Sequence, residues 1–153
     1  FHLVNGPAIP LEDSSIDIAI SMLSFRYLDW DPLMHELKRV LKPNGRMLIV
    51  DMVAAPAKPQ EYPKLLLNKL RQRLQKRSNP AYDKARAKLV NDPAWAEMLK
   101  NNPIRAEHEM RWYLESRFPG RKAEIINIGW NARILAFDTG PFANAKHLEL
   151  TFP

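Results

Sequence analysis

Two apolar, β-compatible runs bracket one helix-length segment between Ile16 and Asp51, and this arrangement constrains the fold more than any other feature of the chain. Ile16-Asp17-Ile18-Ala19-Ile20 is rich in β-branched residues and poor in polar ones, as expected of a strand buried on both faces. Asp31-Pro32 then reads as a helix start, with Asp available to cap free amides and Pro suited to the first helical position. Leu33, Met34, Leu37, Val40 and Leu41 follow at three- and four-residue spacing, so one face of this helix is apolar. Lys42-Pro43-Asn44-Gly45 stops it, and Gly45 is expected to take a positive φ. Met47-Leu48-Ile49-Val50 is a second buried strand, ending at Asp51. Two strands joined by a helix require a crossover, which implies a parallel sheet and an α/β fold.

The remainder of the chain extends that sheet. Phe1-His2-Leu3-Val4 is short and β-compatible, and it runs into the loop Asn5-Gly6-Pro7-Ala8. Residues 54–63 hold three of the 13 prolines and no periodicity, and so form a loop. From Lys64 to Arg77, Leu66, Leu67, Leu70 and Leu74 share one face, with Lys69, Arg71, Arg73, Lys76 and Arg77 elsewhere, which describes a basic amphipathic helix. Asn79-Pro80, Asp92-Pro93 and Asn102-Pro103 repeat the pattern of a capping residue before Pro, and three further helices are expected. Lys122–Ile128 and Ala132–Asp138 are strand-like and joined by Gly129-Trp130-Asn131, as in a β-hairpin. The segment from Lys146 to Phe152 is a short strand or tail.

A chain of 153 residues suits a single domain, 1–153. The absence of cysteine excludes disulfides, thiolate metal sites and Cys nucleophiles. No metal site is expected. No apolar run approaches the ~18 residues of a membrane span, and no signal or transit pattern is evident. A cytoplasmic protein with no membrane partner fits. The chain begins at Phe1 rather than Met, which reads as a processed product, a fragment or the ordered part of something longer. The net charge of +6 is localised: residues 58–88 carry ten Lys/Arg against two Asp/Glu, whereas 89–153 are balanced at eight and eight. A solvated helical face accounts for this excess, and an anionic partner such as nucleic acid, a lipid surface or an acidic substrate is the sharper alternative.

Two motifs in order give the α/β unit a specific resemblance. Val4 to Asp17 aligns without a gap to Gly-Asp-Ala-x-x-Leu-Pro-Phe-x-Asp-x-Ser-Phe-Asp, with Ile9-Pro10-Leu11, Asp13, Ser15 and Asp17 at the matching positions. Leu37 to Gly45 resembles an Arg-Val-Leu-Lys-Pro-Gly-Gly turn. Together they resemble the core of class I S-adenosylmethionine-dependent methyltransferases, from its third strand onward, over about the first third of the chain. The resemblance implies a partial Rossmann-like methyltransferase sheet with a helical lid insertion at 58–118 after the fifth strand. The hairpin would be its closing antiparallel pair. It also implies S-adenosylmethionine as cofactor.

Residue by residue, Asn5 stands where the family places an acidic acceptor for the adenine amino group, and Gly6 where a backbone amide meets the ring. Ser21 and Met22 fall where the family lines the methionine end of the cofactor. Phe25, Arg26, Tyr27 and Trp30 follow the fourth strand and are candidates to touch the acceptor. Asp17 is expected to be structural. The family's Gly-rich turn has no counterpart, because no two of the five glycines are closer than nine residues. An N-terminal segment or a partner chain is expected to supply the missing strands. Ser21-Met22-Leu23-Ser24 replaces Asn-Pro-Pro-Tyr, which argues against methylation of exocyclic base amines or glutamine. The four histidines, His2, His35, His108 and His147, have no spacing that marks a catalytic pair, and no general base is identified. The expected function is methyl transfer to a small molecule by a chain lacking the N-terminal cofactor half. The alternatives are a non-catalytic methyltransferase-like interaction module and a nucleic-acid-associated protein using the basic helices of 64–88.

Overall fold

The computed structural model describes residues 3, 4, 6, 8–76, 80–101 and 104–146, with the backbone alone at 72 and 74–76. The expectations for Phe1, His2 and the segment from residue 147 onward lie outside these residues. Strand β1 (Ile16–Met22), helix α1 (Trp30–Val40) and strand β2 (Leu41–Ala54) form the anticipated crossover, with β1 and β2 parallel. Helices α2 (Tyr62–Lys76), α3 (Pro80–Val90), α4 (Pro93–Asn101) and α5 (Glu107–Arg117) follow. Strands β3 (Glu124–Ile128) and β4 (Ala132–Asp138) close the sheet as an antiparallel hairpin, with β4 beside β2. The order is β1-β2-β4-β3, an open mixed sheet.

The core lies on one face of this sheet. Met47, Ile49 and Val53 of β2 and Leu135 and Phe137 of β4 alternate inward, since strand side chains repeat with period two. Met34, Leu37 and Val40 of α1 and Met110 and Leu114 of α5 cover them, with Phe118 and Phe142 filling the end. Each such side chain contributes roughly 1.5–3 kcal/mol of burial. The fold therefore rests on one sheet face and two helices.

Several local expectations are corrected. Leu3 and Val4 are exposed and belong to no strand, because no neighbouring strand offers them hydrogen-bond partners. β1 is not buried on both faces: Ala19 and Ser21 point to the core side, while Ile18, Ile20 and Met22 are 54%, 68% and 68% exposed. Asp31 is not the cap of α1, which begins at Trp30 after Asp29; its carboxylate instead accepts hydrogen bonds from Tyr113 and Arg117 of α5. The helix start expected at Asn102-Pro103 lies outside the described residues; α5 starts at Glu107, after Arg105 and Ala106, which are drawn alongside Ala54 in an extended bridge. Gly45 has no positive φ. Its glycine is required by space, because a Cβ there would lie 2.9 Å from the Lys42 carbonyl oxygen and 3.1 Å from that of Asp17.

The two sequence motifs touch each other. Arg39, in the second motif, donates to the carbonyls of Ile9 and Leu11 at 2.8 Å and to the Asp13 carboxylate at 2.7 Å, all in the first. Glu36 accepts from Arg39 at 2.7 Å and from the Ile9 amide at 2.9 Å. Those bonds, Arg39 first and the Ile9 amide second, hold the Glu36 carboxyl down to about 2 from its ordinary 4.5. The spacing of both motifs thus records one clamp that ties the loop before β1 to α1. Asp17 pairs with Lys42 at the surface, the structural role expected of it.

Two outcomes follow from these contacts. Because folding lowers the Glu36 pKa, its stabilisation is present above about pH 4.5 and is lost as pH falls toward 2. Glu36→Gln should therefore lower the urea midpoint at neutral pH and converge with the parent near pH 2; parallel pH profiles would contradict the clamp. Gly45→Ala should destabilise the protein by about 1–3 kcal/mol through overpacking, measured by the same unfolding series.

Candidate functional site

In open α/β sheets ligands bind outside the carboxyl ends of the parallel strands. Here that rim is formed by the end of β1, the turn that follows it, and the end of β2. Leu23 occupies the left-handed region at φ +56, unusual for a branched residue, and its amide donates to the Val50 carbonyl at 2.7 Å. The strand is thereby turned sharply at its last residue, which aims Met22 to one side of the rim and the following segment to the other. Ser21 is buried, and its hydroxyl shares a 3.0 Å hydrogen bond with that of Ser24 across the turn.

Beneath this turn lies Asp51, fully buried in β2. Its carboxylate accepts the Arg26 guanidinium, the Arg26 backbone amide at 2.8 Å and the Met52 amide at 2.7 Å. A buried carboxylate is stable only when its lone pairs are met in this way. The short helix Phe25–Tyr27 is thus fastened to the central strand by one charged pair. Arg26 also donates to the Tyr27 hydroxyl and lies over its ring at 4.4 Å.

The four candidate acceptor residues divide into two pairs. Phe25 is fully buried and stacks on Trp30 at 5.3 Å, and the Trp30 ring meets Tyr113 at 4.6 Å while its indole N–H donates to the Phe25 carbonyl. Burial, then the hydrogen bond with Asp31, hold the Tyr113 phenol well above its ordinary value, so it stays protonated. Arg26 and Tyr27 instead line a cavity of about 410 Å³ with Ile104, Arg105 and Glu109. Arg105 also lies over the Trp30 ring at 5.0 Å. Arg105 and Glu109 went unmarked in the sequence because they come from the approach to α5, some eighty residues away from Arg26.

Of the cofactor candidates, Asn5 lies outside the described residues. Gly6 is exposed at φ +101 with nothing within 4 Å of where a Cβ would stand, so its backbone is open to a planar ring. Met22 is exposed at the rim and Ser21 is not. Among the described residues, His35 and His108 are exposed on helices, and no group of His, Asp and Glu could hold a metal ion. No helix of the described residues is long and apolar enough to cross a membrane.

A second opening, of about 890 Å³, lies between α2 and the β3–β4 hairpin. Met52, Ile126, Asn127, Trp130 and Ile134 line its sheet side, and Asn68 and Lys69 its helix side. Arg133, nearly buried, holds that corner together by donating to the Pro56 carbonyl and to Glu61, with Glu107 at 3.5 Å.

Residues 1–49 match the family described as "Methyltransferase domain". Over 46 residues the chain is 39% identical to sterol 4-C-methyltransferase strm-1 of Caenorhabditis elegans, an alignment covering 29% of this chain and 14% of that protein. Among solved structures, an S-adenosylmethionine-dependent methyltransferase from Aquifex aeolicus is similar at 17% identity and a TM-score of 0.46, over 89% of this chain and 52% of that one. Another from Methanosarcina mazei is similar at 17% identity and a TM-score of 0.45, over 90% and 65% respectively. The chain therefore spans only part of the length of these relatives. The sequence similarity is thus to a methyltransferase domain and is confined to the first third of the chain.

Removing the buried carboxylate tests how far the rim depends on it. Asp51→Ala should destabilise the protein by about 3–5 kcal/mol, because it leaves Arg26 desolvated and unpaired. Asp51→Asn, which keeps an acceptor, should lose less. Equal and small losses in chemical denaturation would show that the pair does not hold the rim.

Proposed function

We propose that this chain is part of an S-adenosylmethionine-dependent methyltransferase that acts on a small-molecule acceptor. The observation that carries the reading is the rim at the ends of β1 and β2. It is supported by the two methyltransferase-like motifs joined through Arg39, the Ser21–Ser24 turn after β1 and the cavity lined by Arg26 and Tyr27. Asn5, Gly6, Ser21 and Met22 would meet the adenine and methionine ends of the cofactor. When bound, the cofactor supplies an activated methyl group on a sulfonium.

Transfer of that methyl is an in-line displacement, so holding the acceptor in position can supply much of the acceleration. Arg26, Tyr27, Arg105 and Glu109 surround a cavity polar enough to orient an acceptor through hydrogen bonds, and the Asp51 pair keeps Arg26 fixed. A general base is needed only where the acceptor must lose a proton. A small acceptor suits the cavity of about 410 Å³, and it accords with the name of the sterol methyltransferase relative. Helices α2 to α4 follow β2 and serve in this reading as a lid insertion.

The chain supplies only one wall of the cofactor site, since no G-x-G turn exists in its 153 residues. A preceding segment or a partner chain supplies the other in this reading. Titration of the chain with S-adenosylhomocysteine should accordingly give a Kd no tighter than about 1 mM. At millimolar ligand the amide resonances of Gly6 and of Ser21 to Ser24 should shift selectively. Shifts elsewhere, with these amides unmoved, would refute the site, and micromolar affinity would overturn the one-wall description.

A further inference from the structure

Helix α2 is turned inside out relative to its own amphipathic pattern. The sequence places Leu66, Leu67, Leu70 and Leu74 on one face, the face an amphipathic helix commonly buries, yet Leu66, Leu67 and Leu70 are 58%, 50% and 55% exposed. The residue buried toward the sheet is Leu65, on the opposite face, and Asn68, Lys69 and the edge residue Arg71 line the opening beside it. At 3.6 residues per turn the three leucines form one outward patch, with Arg73 beside Leu66 and Arg71 beside Leu67 as its two margins. Lys64 continues the basic border on the Arg71 side. Arg133, Glu61 and the stacking of Tyr62 on Trp130 anchor the start of the helix, so this orientation is built into the fold.

We infer that the outward face of α2 docks on an anionic lipid bilayer. An apolar stripe bordered by cations is what a membrane interface selects: leucines enter the acyl boundary while Lys and Arg meet anionic headgroups. The charge around it is complementary, with ten Lys/Arg against two Asp/Glu between residues 58 and 88. A second copy of the chain is disfavoured, because three half-exposed leucines fall far short of the ~800 Å² per partner of a standard interface. Nucleic acid needs the cations alone and gives the leucines no role. The sheet face stays clear of the bilayer, since α2 lies between them with its polar side inward. The inference is independent of methyl transfer.

Sedimentation of the 153-residue chain with vesicles provides the test. Binding to phosphatidylcholine vesicles containing phosphatidylserine should exceed binding to pure phosphatidylcholine at least tenfold and weaken with salt. Leu66→Ser with Leu70→Ser, and separately Arg71→Glu with Arg73→Glu, should each reduce it at least tenfold. Both pairs are exposed, so thermal melting should stay near that of the parent. Leu67→Trp should blue-shift on binding and be quenched by brominated acyl chains. The inference is overturned by no vesicle binding at low salt, by undiminished binding of the leucine variant, or by self-association that this variant abolishes. Displacement from vesicles by a random oligonucleotide that the leucine variant still binds equally would also overturn it.

Discussion

Strand β2 is paired along both edges, and every other element takes its position from that double pairing. On one side β1 runs parallel to it, which forces the crossover helix α1 onto one face. On the other β4 runs antiparallel over seven residue pairs, from Leu48–Asp138 to Ala54–Ala132, and carries β3 with it. The strand is longer than its apolar run because these neighbours satisfy its backbone well beyond Met47–Val50. Its one fully buried carboxylate, Asp51, then fastens the segment after β1 back to the centre of the sheet. The rim that serves as the candidate site is therefore a consequence of strand pairing and a single ion pair.

The sheet is covered unequally. Helices α1 and α5 bury one face, whereas on the other α2 overlies only the hairpin end. Ile18, Ile20 and Met22 of the edge strand β1 are left in solvent among the described residues. β-branched and apolar residues in this number are a liability on a free edge, where unpaired backbone groups offer a template for association. The exposure also explains why β1 reads as a doubly buried strand in sequence while only its Ala19–Ser21 side is covered. Helices α3 and α4 contribute no buried residue, in contrast to α5, whose Met110, Tyr113 and Leu114 sit deep in the core.

What could be read directly was whatever depends on neighbours along the chain. Apolar, β-branched runs predicted both strands of the crossover, strand-like runs around Gly129-Trp130-Asn131 predicted the hairpin, and the three- and four-residue spacing predicted α1. Proline after a capping residue marked α3 and α4, and at Asp92 the side chain does accept the Ala94 amide. The two methyltransferase motifs were legible because their spacing is local, although their shared purpose, the Arg39 clamp, was not. Gly45 was read only as a turn residue able to take positive φ; the close approach of Lys42 and Asp17 backbone that requires glycine there is visible only in three dimensions.

The sequence by itself determined the α/β class, the crossover and the motif resemblance of the first third, because hydrophobic period and turn chemistry act over a few residues. Only the tertiary structure decided which apolar faces are buried. Helix α2 shows the difference most clearly, since its leucine stripe satisfies the amphipathic pattern yet points away from the sheet, held there by Arg133 and Glu61. The same holds for the candidate acceptor residues. Phe25 and Trp30 became packing while Arg26 and Tyr27 came to line a cavity, because α5, far along the chain, brings Tyr113 against one pair and Glu109 near the other. Periodicity states that a face will be covered, and long-range packing chooses by what.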